Sequence, residues 1–132
     1  MRFYVASGLE NRDKVHSVIQ HLIMLGHQPS YDWTQHGDVR GDGQPRMREV
    51  SVSETSGIIS SELVLIMLPG GKGTHIELGL ALASCNGKRI MLWSETGAEF
   101  VQGAGTCVFY HHPSIEQICC DIEQLYKLLA EL

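Results

Sequence analysis

Two glutamates and one glycine-rich turn are the residues of this chain whose types and spacing could do chemistry. The turn is Pro69-Gly70-Gly71-Lys72-Gly73-Thr74, and we predict that it joins a buried strand to a helix that begins at Thr74. Such a turn presents free backbone N–H groups, which favour an anion or a polar ligand. Glu77 follows within the first predicted helical turn. A carboxylate there would repel a phosphate but could attack a sugar carbon beside it.

Glu77 also has a purely structural interpretation. Thr74 and Glu77 have the spacing of a capping box, in which each side chain accepts a hydrogen bond from the backbone N–H of the other residue. A carboxylate used in this way would be folded back onto the helix end. The direction of the Glu77 side chain therefore decides between a catalytic and a structural role.

Glu54 is the second candidate carboxylate. It lies on the apolar stripe of a helix predicted over residues 47–61, four residues after Val50 and four before Ile58. A carboxylate on a core-facing stripe is costly unless it has a partner or faces a cleft, and the alternative is that it reaches solvent at the edge of the stripe. Paired carboxylates are what glycosidic cleavage requires, because one attacks or stabilises the anomeric carbon and the other protonates the leaving group. A hydroxyl from Tyr4, on the first predicted strand, could orient one of them.

The hydrophobic pattern predicts the elements that position these side chains. The predicted strands cover residues 2–7, 27–31, 63–68, 88–93 and 106–110, and the predicted helices follow Asn11, cover 47–61, begin at Thr74 and begin at Pro113. This alternation, with near-continuous apolar third and fourth strands, predicts an α/β fold with a parallel sheet covered on both faces. We expect one doubly wound (flavodoxin-like) five-stranded sheet of order 2-1-3-4-5, in a single domain over residues 1–132.

Ligands of such sheets bind beyond the carboxyl ends of the strands, at the switch point between strands one and three. The end of strand one, the polar loop over residues 32–46 and the glycine turn should meet there. The candidate substrate-binding residues are Phe3, Ser7, Gly8, Trp33, Gly70, Gly71, Gly73 and Thr74. A loop of this length is typical of functional or disordered segments, so we interpret it as a lid with an aromatic contact from Trp33, a solvated surface loop being the alternative. Lys72 could meet a 5′-phosphate or be solvated.

Composition excludes several classes of function. The net charge of −5, with no Lys/Arg cluster, argues against binding of a nucleic-acid backbone. The N-terminus lacks the apolar region of a signal peptide, and no apolar run approaches the roughly 18 residues of a membrane span. Four cysteines without metal-ligand or disulfide spacing predict reduced thiols in a cytoplasmic protein. The seven histidines are scattered, so we expect neither a metal nor another cofactor.

The sequence resembles the nucleoside 2-deoxyribosyltransferase family, which includes the nucleoside 5′-monophosphate N-glycosidases. The resemblance covers strand one to strand four and rests on Phe3-Tyr4-Val5-Ala6-Ser7, Glu54-x-x-Gly57-Ile58 and Gly73-x-x-x-Glu77-Leu78-Gly79-x-Ala81-Leu82. It implies that Glu77 is the nucleophile of a glycosyl-enzyme intermediate, that Glu54 replaces the family's usual aspartate as the acid, and that Tyr4 is the orienting tyrosine. Gly71 stands where the transferases carry a base-reading aspartate and the monophosphate hydrolases a phosphate-binding serine.

A second resemblance covers nine residues. The run Pro69-Gly70-Gly71-Lys72-Gly73-Thr74-His75-Ile76-Glu77 is similar to the Pro-Gly-Gly-x-Gly-Thr-x-x-Glu signature of the cytokinin-activating phosphoribohydrolases. There the turn and the threonine hold the nucleotide phosphate, and the glutamate acts at the ribose. Both resemblances imply cleavage of the N-glycosidic bond of a nucleoside or nucleoside 5′-monophosphate, the glycosyl group passing to water or to a second base.

Two other functions stay open. The first is a nucleotide-binding sensor that keeps the pocket without turnover, which the glycine at Gly71 and the glutamate at Glu54 motivate. The second is a TIR-like NAD-cleaving domain, since those domains also use a glutamate at a similar place in the fold. The family resemblance further implies a homodimer or higher homo-oligomer whose subunits complete each other's pockets. The expected partner is a small nucleoside or nucleotide, not a nucleic acid or a membrane.

Overall fold

Five parallel strands form the centre of the molecule, in the order β2-β1-β3-β4-β5. The computed structural model describes residues 1–132, with strands β1 (Arg2–Ser7), β2 (Gln28–Pro29), β3 (Leu63–Met67), β4 (Arg89–Ser94) and β5 (Ile115–Cys119). The α-helices are α1 (Arg12–Met24), α2 (Gln44–Ile59), α3 (Lys72–Ala83) and α4 (Ile122–Leu129). This arrangement confirms the predicted doubly wound α/β fold and its strand order. No helix is both long enough and apolar enough to cross a bilayer.

The central strands β1, β3 and β4 position the site. Nearly every residue of these strands is buried, because helices cover both faces of a parallel sheet. Ser7 at the end of β1 lies opposite Met67 at the end of β3, which in turn lies opposite Trp93. The carboxyl ends of β1 and β3 are therefore level, and the segments that follow them start side by side.

The fifth strand is not where the hydrophobic pattern placed it. Residues 106–110, predicted as strand five, are two residues without regular structure and the first three residues of a short 3-10 helix, Val108–His111. The strand is Ile115–Cys119, inside the stretch predicted to begin the last helix. Ile115 and Ile118 are half-buried, and their three-residue spacing suits a helix face as well as an edge strand. Pattern alone could not separate the two.

Two side-chain interactions explain the true boundary. The Asp121 carboxylate accepts a hydrogen bond from the backbone N–H of Gln124 at 2.9 Å, so α4 begins at Ile122 and not at Pro113. Arg89 of β4 donates to the carboxylate of Glu116 at 2.5 and 2.9 Å, a pair that joins neighbouring strands. The residues before the cap are thereby held in the sheet.

Candidate active site

A cavity of about 660 Å³ lies at the carboxyl ends of β1 and β3. Its walls come from the end of β1 with the short helix after it, the loop before α2, one face of α2, and the glycine turn with the start of α3. This is the switch point of the sheet, where ligands of doubly wound folds bind. The three segments expected to converge there do so.

Helix α3 begins two residues earlier than predicted. Its N-cap is Gly71 in an extended conformation, and Lys72 is the first helical residue. Thr74 is the third, and its Oγ1 accepts a hydrogen bond from the backbone N–H of Gly71 at 3.1 Å. A Cβ on Gly70 would collide with the Thr74 side chain, so the glycine allows this close approach. The capping box of Thr74 with Glu77 is therefore not formed, and Glu77 falls in the second turn of the helix.

The Glu77 carboxylate is directed into the cavity wall instead of its own helix end. Its side chain is only 9% exposed, and Oε2 is buried without any hydrogen-bond partner. The Tyr4 hydroxyl, on the neighbouring strand β1, is also buried without a partner. Buried polar atoms in native proteins are nearly always paired, and here the Tyr4 hydroxyl is the group that faces Glu77, so the carboxylate is positioned by β1 and not by its own helix end. Burial raises the pKa of Glu77 to about 8; the nearby Glu54 charge adds to this rise and the Tyr4 hydroxyl opposes it.

Tyr4 lies beneath the cavity, fully buried between the sheet and α2. Gly57 of α2 lets the helix approach this closely, because a Cβ there would lie 2.9 Å from Tyr31 Cβ and 3.3 Å from Tyr4 Cδ2. Burial, together with the charges of Glu77 and Glu54, raises the pKa of Tyr4 far above its ordinary value. The hydroxyl therefore keeps its proton and can donate a hydrogen bond to an ionised Glu77.

Glu54 also faces the cavity, from the side of α2 opposite solvent. Burial raises the pKa of this carboxyl, and the charge of His36 opposes the rise. A raised pKa lets a carboxyl keep its proton to a higher pH, as a general acid requires. The two candidate glutamates thus lie on adjacent helices around one cavity.

His36 also lines the cavity, although it was not among the site residues predicted from the sequence. Its Nε2 lies 2.7 Å from the Tyr31 hydroxyl, and its Nδ1 lies 3.0 Å from the carbonyl oxygen of Gly37. Because a carbonyl only accepts, Nδ1 carries a proton, and Tyr31 donates to Nε2 whenever the ring is neutral. In the sequence alone, the histidines suggest no role other than that of metal ligands. No three His, Cys, Asp or Glu side chains are grouped to hold a metal ion.

Most predicted substrate-binding residues line the cavity, and two do not. Those that line it are Ser7, Gly8, Trp33, Gly71, Gly73 and Thr74. Phe3 is 1% exposed and belongs to the hydrophobic core, where it cannot stack on a base. Gly70 packs under Thr74 and serves the turn instead of the cavity surface.

Trp33 is anchored to strand β1. It is 4% exposed, and its Nε1 donates a hydrogen bond to the backbone carbonyl of Val5 at 2.8 Å. Asp32 accepts hydrogen bonds from the Thr34 backbone N–H and hydroxyl at 2.9 and 2.5 Å. These contacts anchor the first part of the loop to β1, so the indole forms a fixed wall of the site.

The buried Glu77 carboxylate should make stability depend on pH. The pKa of Glu77 is about 8 in the folded state and near 4.5 when unfolded, so wild-type stability falls as pH rises from 4.5 to 8. Replacing Glu77 by glutamine removes this penalty. We expect the stability difference between the variant and wild type to be larger at pH 9 than at pH 5 by more than about 1 kcal/mol. This corresponds to roughly 4 °C in Tm by scanning calorimetry. The exposed control Glu131→Gln should differ from wild type by the same Tm at both pH values. The same behaviour in Glu77→Gln would contradict the ionisation of a buried Glu77.

Comparison with known proteins establishes the fold. No protein-family model matches the chain, and no curated protein matches its sequence. The chain is similar to a solved structure of a Clostridium botulinum CMP N-glycosidase, BcmB, with a TM-score of 0.63 and 20% sequence identity. The similarity covers 100% of both chains. Over its whole length the protein therefore shares the fold of an N-glycosidase.

Proposed function

We propose that this protein cleaves the N-glycosidic bond of a nucleoside or nucleoside 5′-monophosphate, with Glu77 as the nucleophile and water as the acceptor. The observation that carries the proposal is that Glu77 is buried against the Tyr4 hydroxyl, away from its own helix end, on the wall of a cavity that Glu54 also lines. The shared fold of a CMP N-glycosidase supports it.

In the first step Glu77 attacks C1′ of the sugar while Glu54 gives its proton to the departing base. The C1′–N bond breaks, a C1′–O bond to Glu77 forms, and the base leaves neutral. Tyr4 donates a hydrogen bond to Glu77 and holds one of its oxygens in place. The two carboxyls share one proton near neutral pH, and positive charge developing at C1′ favours the microstate with Glu77 ionised and Glu54 protonated.

In the second step Glu54, now ionised, takes a proton from water as the water oxygen attacks C1′. The C1′–O bond to Glu77 breaks, which releases the free sugar and returns both carboxyls to their starting state. A second base could take the place of water. The cavity volume falls within the usual range for small-molecule sites, and the first turn of α3 presents N–H groups to the sugar.

The test is a turnover panel of nucleosides and their 5′-monophosphates, with base release measured by chromatography in wild type and Glu77→Gln. We expect release from at least one member of the panel in wild type only. Tight binding without turnover would instead favour the nucleotide sensor, and nicotinamide release from NAD would favour the NAD-cleaving alternative. Equal release by both proteins would overturn the assigned nucleophile.

We also propose that the protein is a homodimer or higher homo-oligomer. An apolar groove runs along α3 and the 3-10 helix Val108–His111, and Ile76 and Phe109 on it are 65% and 58% exposed. Helix α3 contributes Ile76 to this groove and Glu77 to the cavity, so a second copy seated on the groove would contact the helix that carries the proposed nucleophile. Light scattering should give a mass of at least two chains, and a fully active monomer would contradict this assembly.

A further inference from the structure

We propose that Glu10 selects for nucleosides with a free 5′-hydroxyl and against their 5′-monophosphates. This inference rests on the proposed function and names the substrate class of the same site. Glu77 and Glu54 line the cavity in which the sugar would be held. Glu10 lines the same cavity, on the segment that follows β1.

Backbone contacts place Glu10 beside the glycine turn. Glu10 belongs to the 3-10 helix Leu9–Asn11. Just before it, the backbone N–H of Gly8 donates to the carbonyl oxygen of Pro69 at 3.3 Å, and the side chain of Asn11 donates to the same oxygen at 3.4 Å. The segment that carries Glu10 is thus bound to the turn whose N–H groups would otherwise suit an anion.

The Glu10 carboxylate itself covers the cavity wall at Gly8. A Cβ on Gly8 would lie 2.6 Å from both Glu10 Oε1 and Oε2, so the side chain folds over that glycine. Glu10 forms no salt bridge and no side-chain hydrogen bond. Glu10 therefore presents an unpaired acceptor at the exposed edge of the cavity, beside the turn that precedes α3, and this is where we place the 5′ end of the sugar.

The other charges of the cavity do not create a phosphate site. Arg40 lines the cavity, but its Nε donates to Asp38 Oδ1 at 2.8 Å and its Nη2 to Asp38 Oδ2 at 2.6 Å, so the two charges cancel. Lys72 is then the only Lys or Arg side chain of the lining that forms no salt bridge. The carboxyl groups around it are those of Glu10, Glu54 and Glu77. A phosphate that carries nearly two negative charges would meet an excess of carboxylate.

A free 5′-hydroxyl has the opposite fit. A hydroxyl carries a donor, and an ionised carboxylate is an acceptor only, whereas an ionised phosphate monoester offers chiefly acceptors. Glu10 can accept from the 5′-hydroxyl of a nucleoside and would repel the phosphate of a nucleotide. The same sugar is therefore accepted or refused according to its 5′ group.

The experiment compares kcat/KM for the common ribo- and deoxyribonucleosides with that for their 5′-monophosphates. We expect wild type to prefer the nucleoside of the cleaved pair by at least about tenfold, since like-charge juxtaposition is worth more than the energy of one tenfold step. Glu10→Gln should reduce this preference, and Glu10→Lys should reverse it. Glu131→Gln, which removes an equal charge at an exposed position, should leave the ratio unchanged.

Two results would contradict the proposal that Glu10 selects the substrate. One is a wild type that cleaves the monophosphate at least as well as the nucleoside, and the other is a ratio unaffected by Glu10→Gln in a variant with wild-type circular dichroism. Release of base from neither class would instead refute the proposed function. In that case calorimetric binding of the same compounds decides, because tighter binding of the monophosphates contradicts the role of Glu10 and tighter binding of the nucleosides supports it.

Discussion

Replacing Glu77 by glutamine should lower kcat for base release by about 10³-fold or more, the largest effect we expect from any single substitution in this chain. Glutamine has nearly the same shape, but its neutral amide cannot form the glycosyl ester or stabilise positive charge at C1′. Single-turnover base release, followed by quenching and chromatography, measures the step directly. Substrate binding should survive, because the side chain volume is kept.

The control for this result is the fold of the variant. Glu77→Gln should melt at or above the wild-type temperature at pH 9, since it removes a buried ionisable group, so its inactivity cannot come from unfolding. Glu131→Gln should keep wild-type turnover. A Glu77→Gln variant with more than a tenth of the wild-type rate would show that another group attacks the sugar.

Glu54→Gln should have the second-largest effect, but its size should depend on the leaving group. For natural bases we expect kcat to fall by about 10²–10⁴-fold, the usual contribution of a general acid. The p-nitrophenolate group of a p-nitrophenyl glycoside leaves without a proton, so Glu54→Gln should slow the first step with this substrate much less. Glu77→Gln should lose activity on both substrates. Comparison of burst rates for the two substrates separates the roles of the two carboxylates. An equal loss on both substrates would mean that Glu54 acts by position and not by proton donation.

The pH dependence of the reaction rate tests the same role of Glu54. Burial raises the pKa of Glu54, so its proton is kept to a higher pH than an exposed glutamate would keep it and is lost as pH rises further. The wild-type rate should therefore fall on the basic side, and Glu54→Gln should lack this limb. The acid limb reports the first proton to leave the pair of carboxyls, and it belongs to the pair, not to either residue.

The sequence was sufficient to bring the main side chains together. Because β1 and β3 are parallel neighbours, the segments that follow them arrive at the same edge of the sheet, and this brings the end of β1 beside the turn that leads to Glu77. Glu54 was predicted from its charge on an apolar stripe, and the structure has it facing the cavity. Periodicity and chain topology are enough for conclusions of this kind.

Contacts between distant segments determined what the sequence could not predict. The start of α3 depends on the packing of Thr74 under Gly70 and Gly71, which makes Thr74 the third helical residue and frees Glu77 from a cap. The fifth strand depends on the pair between Arg89 and Glu116 across two strands. In each case the spacing along the chain fits two structures, and a partner elsewhere in the fold selects one.

The cavity position of Glu10 was also beyond reach of the sequence. Nothing in the run Gly8-Leu9-Glu10-Asn11 distinguishes it from an ordinary solvated turn. Its position follows from the backbone contact between Gly8 and Pro69, which joins two segments that are far apart in the sequence. Trp33 shows the reverse case, since an aromatic residue in a polar loop suggested a moving lid but is held by Val5.

Covalent capture of the sugar tests the central claim most directly. Wild-type protein mixed with a cleaved nucleoside should be acid-quenched within one turnover, and its mass measured intact and after digestion. We expect one pentosyl group per chain, located on the peptide that contains Glu77 and absent in Glu77→Gln. A pentosyl group on another residue, or rapid base release by a chain that carries no sugar on Glu77 at any time point, would contradict the account.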